Sequence, residues 1–157
     1  MVSQVFISHV HHHRHFEIYE IQMLLGGRAE IDAFELKSNT KYNGGYEEQS
    51  PQVIWLWEYI EHSDQERIRM LLTFATGCSF IPVDGLKPPF TVVKYLDLQV
   101  EGIEKPSTKA IEGLNRSLPM AHTCFNQLVL PPYTSPDVLN ERLTYALENA
   151  GAGFYIQ

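Results

Sequence analysis

The fifteen residues from Leu118 to Pro132, LPMAHTCFNQLVLPP, decide how this chain is read. Asn126 to Leu130 is a short run ending in apolar residues, with prolines on both flanks, and it predicts a short strand. The residues before it, His122-Thr123-Cys124-Phe125-Asn126, are more polar and suit an exposed loop better than a core. If that loop is extended, residues two apart project to the same side, which would bring His122 and Cys124 together.

Working outward, three segments carry helical periodicity. Ser50-Pro51 sets a capping residue before a proline in the first turn, where the missing N–H costs nothing. Val53, Ile54, Trp57 and Ile60 then recur at helical spacing. Ser63 with Glu66 three residues on matches a capping box. Ile68, Leu71, Leu72 and Ala75 follow as an apolar face, and Gly77 supplies the stop. Ser135-Pro136 opens the third helix, which presents Leu139, Leu143, Ala146 and Leu147 and ends at Gly151. A shorter helix is expected over Asp32 to Ser38, capped by Asp32.

Thr91 to Val100 is rich in β-branched residues and predicts a strand. Gly77 to Pro89 reads as a loop, and Glu101 to Arg116, polar with Gly102, Pro106 and Gly113, as a mobile loop. Helices and strands in this mixed order predict an α/β or α+β domain, a small sheet with helices packed on it. Glu17 to Leu25 is apolar on one side and is ended by Gly26-Gly27. Asn43-Gly44-Gly45 is the candidate linker or hinge, because adjacent glycines permit backbone angles other residues avoid.

The 157 residues suit one domain that buries a core without staples. Apolar residues at 44% and charged residues at 20% exclude wholesale disorder. A net charge of -7 with scattered basic residues leaves no electrostatic footprint for nucleic acid or an acidic membrane. The opening MVSQVFISHVHHHRHFE does not read as a signal peptide, and the longest apolar runs fall far below the roughly 20 residues of a membrane span. Two cysteines, Cys78 and Cys124, make neither a disulfide framework nor a CxxC clip, so a reducing, cytoplasmic or nuclear setting is expected.

For each cysteine the bland reading is a small buried hydrophobe, and it is the expectation for Cys78 in TGCSFIP. Cys124 differs in its neighbours. A nearby imidazole can stabilise a thiolate, which is the reactive form. A cysteine protease is one reading, although nothing places His62 near Cys124. A zinc site from Cys78, Cys124, His122 and His62 lacks the close ligand pairs that structural zinc needs. The histidines from His9 to His15 read as a solvated stretch or a tag remnant and are assigned no function.

The segment LPMAHTCFNQLVLPPY resembles the carboxy-terminal lobe of HECT-type ubiquitin ligases, in which the reactive cysteine sits in a leucine-proline…threonine-cysteine-phenylalanine-asparagine stretch before a leucine-rich strand. Asn39-Thr40-Lys41-Tyr42 with Gly44-Gly45-Tyr46 is similar to the hinge between that family's two lobes. Ile54-Trp55-Leu56-Trp57, Leu71-Leu72, Phe74-Ala75-Thr76-Gly77, Ile81-Pro82 and Gly85 resemble its helix pair and following loop. Glu17 to Asp32 looks like the last helices of the amino-terminal lobe, and residues 1–16 are not covered.

The resemblance implies residues 1–42 as the tail end of an amino-terminal lobe, 43–46 as hinge and 47–157 as the catalytic lobe. It implies that Cys124 accepts ubiquitin as a thioester from a conjugating enzyme and passes it to a lysine of a protein substrate. His122 would assist or orient Cys124, while Thr123 and Asn126 would bond the thioester carbonyl or order the loop. Phe154, four residues from the chain end, would anchor the tail. The conjugating enzyme would dock on the amino-terminal lobe, and no cofactor or metal is implied. The alternatives are a ubiquitin-binding module with an idle Cys124, or a cysteine hydrolase.

Overall fold

Two of the helices begin at an aspartate whose side chain caps them. In the computed structural model, which describes residues 30–95 and 108–150, Asp32 accepts from the backbone N–H groups of Phe34 (2.8 Å) and Glu35 (3.2 Å) and starts helix α1, Ala33–Ser38. Strand β1 is Lys41–Asn43. Helix α2, Pro51–Glu61, follows Ser50 with proline in its first turn. Helix α3, Gln65–Thr76, ends on Gly77 in the left-handed conformation. Then come β2 Thr91–Lys94, α4 Thr108–Arg116, β3 Met120–His122, β4 Gln127–Leu130 and α5 Pro136–Ala150.

The four strands form one mixed sheet in the order β1-β2-β4-β3. β1 and β4 run parallel to β2, and β3 is antiparallel to β4. Lys41, Thr91, Gln127 and His122 pair in one row across the sheet, which defines the end at which β3 hands over to β4. The central strands are inaccessible at Val92, Leu128 and Leu130. Trp57, Leu56, Ile60, Leu71, Leu72, Leu139 and Leu143 complete a single core with them. Helices α2 and α3 pack on α5, and α3 reaches the β3–β4 end. The expected α+β arrangement of a small sheet with helices packed on it is what the chain adopts.

Four expectations need correction. The cap of α3 is Asp64, whose carboxylate accepts from Arg67 N–H at 2.8 Å, and the hydroxyl of Ser63 donates to Tyr59 O instead. In α2, Leu56 is buried and Ile54 is largely exposed, because 3.6 residues per turn align Val53 with Leu56, Trp57 and Ile60. The strand from Thr91 stops at Lys94, and residues 96–100 lie outside the described ones.

The fourth is that Thr108 to Arg116 is a helix, not a loop. A Cβ added at Gly113 would meet open space, and Ala110, Ile111 and Leu114 are half-buried along one side. The end of the helix is tied down where Asn115 donates to Thr134 Oγ1 (2.8 Å) and accepts at its backbone oxygen from Arg142 (3.0 Å).

The segment read as a hinge is built into this same body. β1 lies in the sheet, and Tyr46 is buried, its hydroxyl donating to Leu130 O at 3.1 Å. Upstream, Ile31 and Leu36 belong to the core, and Gln65 clasps both backbone groups of Ile31 (2.9 and 3.0 Å). Residues on both sides of the two glycines thus contact the sheet or the core in this structure.

Gly44 has φ +68, and a Cβ there would meet Lys94 O at 3.1 Å, so the turn packs against β2. Gly44→Ala is expected to lower stability by about 1–3 kcal/mol. Gly77→Ala, with φ +75 but open space, should cost only the left-handed backbone, about 1–2 kcal/mol. Urea midpoints would check the ranking.

A pH response follows from two buried phenols. Tyr46 and Tyr133, whose hydroxyl donates to Ser117 O at 2.8 Å, are pushed above the ordinary value of 10.0 by burial. The unfolded chain releases these protons near pH 10, while the folded chain keeps them. The stability is complete below that pH and is lost as pH rises beyond it. The expected slope is at most about 1.4 kcal/mol per pH unit for each tyrosine. Tyr46→Phe should flatten it in urea melts between pH 9 and 12.

Candidate active site

β3 and β4 are joined by four residues, Thr123 to Asn126, at the end of the sheet marked by the His122–Gln127 pair. Thr123–Phe125 forms one turn of 3₁₀ helix, closed by Asn126 N–H donating to Thr123 O at 3.2 Å. Asn126 stands at φ 52, ψ 45, a left-handed conformation that asparagine tolerates better than most residues. Its side-chain amide donates to Pro88 O at 2.7 Å, and its backbone oxygen accepts from Thr91 N–H at 2.9 Å.

One end of the turn is thus pinned to the Gly77–Pro89 loop and to the start of β2. Asn126 is 9% exposed, whereas His122, Thr123, Cys124 and Phe125 are all exposed. Leu118, Met120 and Phe125, near Cys124 in the chain, are exposed apolar residues.

Cys124 is therefore a free, exposed thiol on a turn held from beneath. His122 ends β3, and the chain turns at Thr123, so the i, i+2 alternation of extended backbone stops before Cys124. Among the described residues neither side chain makes a hydrogen bond. The Asn126 amide is already engaged with Pro88. Sequence reasoning had no route to Pro88, since it contributes a backbone carbonyl and no side-chain signature. Phe154 and the histidines from His9 to His15 lie outside the described residues.

Cys78 corrects the buried expectation: it is exposed just past α3, its N–H bonded to Thr76 Oγ1 at 3.1 Å. Gly77 in its left-handed conformation carries the chain away from the core before this residue. His62 ends α2, with Nδ1 2.7 Å from Glu58 O. Among the described residues no group of three or more His, Cys, Asp or Glu is arranged to hold a metal, and no helix is long and apolar enough to cross a membrane.

Two grooves are open on the described surface. One of about 500 Å³ is lined by Tyr59, His62 and Arg67 among others, and one of about 430 Å³ by Leu36, Val83 and Phe90 among others. Cys124 lines neither.

The site is thus a small mixed sheet that presents an exposed cysteine on the turn between two antiparallel strands. The family model described as HECT-domain (ubiquitin-transferase) matches residues 4–157, and the chain belongs to that family. It is 38% identical over 139 residues to E3 ubiquitin-protein ligase HACE1 of Danio rerio, covering 88% of this chain and 14% of that protein. It is 38% identical over 142 residues to E3 ubiquitin-protein ligase UPL1 of Arabidopsis thaliana, covering 88% and 4%. With E3 ubiquitin-protein ligase pub3 of Schizosaccharomyces pombe the identity is 41% over 136 residues, covering 85% and 16%. The chain thus spans 4–16% of the length of these relatives.

Proposed function

We propose that this chain is the carboxy-terminal catalytic lobe of a ubiquitin ligase and that Cys124 carries ubiquitin. The observation that supports this most is the exposed Cys124 thiol, raised on a turn whose foot is fixed to two other elements. In the first step the Cys124 thiolate attacks the carbonyl carbon of the ubiquitin thioester on a conjugating enzyme. The C–S bond to that enzyme breaks and its thiolate departs. One thioester replaces another, so no strong base is required.

In the second step the neutral amine of a substrate lysine attacks the new thioester. An isopeptide bond forms, the C–S bond to Cys124 breaks, and the thiolate is regenerated. The lysine must first lose its ammonium proton to solvent, which an ordinary one holds up to about pH 10.4, and the proton released as the isopeptide forms also passes to solvent. His122, exposed beside the turn, is the local orienter of Cys124 in this reading, and Thr123 is the neighbour able to donate to the thioester carbonyl. Phe154 anchors the tail.

In this reading residues 47–157 belong to the catalytic lobe, 43–46 to the hinge and 1–42 to the end of the amino-terminal lobe, on which the conjugating enzyme docks. The setting is cytoplasmic or nuclear.

The test is incubation of the full-length ligase with activating enzyme, conjugating enzyme and ubiquitin. A thiol-sensitive adduct should form, vanish in Cys124→Ala and persist in Cys78→Ala. An adduct that survives Cys124→Ala overturns the proposal. So does cleavage of ubiquitin chains without any charged donor, which would make the protein a hydrolase.

A further inference from the structure

We propose that Asn126 is a positioning residue for Cys124, acting through its inward-facing amide, and is not a donor to the thioester carbonyl. This rests on the reading of Cys124 as the thioester-forming residue. Three constraints meet at Asn126. Its backbone is held left-handed at φ 52. Its own N–H closes the turn onto Thr123 O, with Cys124 lying between these two points. Its amide nitrogen, beneath the surface, reaches Pro88 O at 2.7 Å, while its carbonyl takes the N–H of Thr91.

The amide is therefore committed to the loop that leads into β2 and is turned away from the exposed face on which a thioester would sit. Its effect reaches the sulfur through the turn. Thioester exchange requires the sulfur to meet a carbonyl carbon held by a second protein, and a misplacement of 1 Å can cost on the order of 10²-fold. A small alkylating reagent diffuses to the thiol from any side and needs no such alignment. A positioning residue thus separates the two reactions, whereas a residue that merely keeps the domain folded does not.

The experiment uses the full-length ligase and two variants. Asn126→Gly keeps access to positive φ and loses the amide. It should slow ubiquitin transfer from the charged conjugating enzyme to Cys124 by about tenfold or more, while alkylation of Cys124 by iodoacetamide stays within about twofold of the parent rate. Asn126→Asp adds a pH signature. An ionised carboxylate cannot donate to Pro88 O but a protonated one can, and burial against a carbonyl raises its pKa. The transfer rate of Asn126→Asp, divided by that of the parent at the same pH, should climb as pH falls from 8 to 6.

Unchanged transfer in Asn126→Gly overturns the inference. An equal loss of transfer and alkylation also does, because it reports a collapsed turn. A pH-independent ratio for Asn126→Asp removes the amide from the mechanism. If the parent protein forms no Cys124 adduct at all, the functional reading itself fails, which is a separate result from an adduct that ignores Asn126.

Discussion

Cys124→Ser in the full-length ligase is expected to ligate ubiquitin about 1,000-fold more slowly or worse, while any adduct it does form resists thiol reagents. A thiol ionises near pH 8.5, so a useful fraction is thiolate at neutral pH, whereas a serine hydroxyl stays protonated without a dedicated base. The described residues hold no carboxylate or histidine bonded to the side chain at position 124 that would serve as one; the exposed His122 side chain makes no hydrogen bond among them. A loss of three powers of ten corresponds to about 4 kcal/mol of transition-state stabilisation. The adduct, an oxygen ester, should persist in reducing gel buffer and yield to mild alkali. A serine variant at parental rate would show that the sulfur is not the acyl carrier.

Trp57→Ala carries the largest expected loss of stability. The ring is 1% exposed in the centre of the core, and its Nε1 donates to the Tyr42 hydroxyl on β1 at 2.9 Å. Lys37 Nζ stands 5.8 Å from the ring centroid. Removing the indole opens a cavity and strips Tyr42 of its donor, for an expected loss of about 3–5 kcal/mol. Native domains have only about 5–15 kcal/mol in total. Urea unfolding followed by circular dichroism would read the shift, and Trp55→Ala, at a half-buried position, serves as the mild comparison. A loss below about 1 kcal/mol would contradict the central place given to Trp57.

The apolar faces of α3 and α5 were legible because local periodicity alone defines them: Ile68, Leu71, Leu72 and Ala75, and Leu139, Leu143, Ala146 and Leu147, are all buried. The Asp32 cap was legible for the same local reason. Helix α4 was not, since Gly113 and a polar composition mask a stripe whose worth comes from Thr134 and Arg142 on distant elements. β3 escaped notice because three residues in antiparallel pairing with β4 carry no periodicity of their own. The packing of Gly44 was hidden for a related reason: glycine type permits many backbone conformations, and its close approach to Lys94 is a tertiary fact.

At the candidate site, residue type and order along the chain were enough to single out Cys124, His122 and Asn126, because reactivity belongs to functional groups that the sequence spells out. Tertiary structure alone decided that the Cys124 thiol is exposed, that His122 and Cys124 do not share an extended face, and that the Asn126 amide faces Pro88 O. Those facts depend on where residues 38 positions apart meet. Such meetings are set by the packing of a whole sheet and its helices, and no local pattern encodes them.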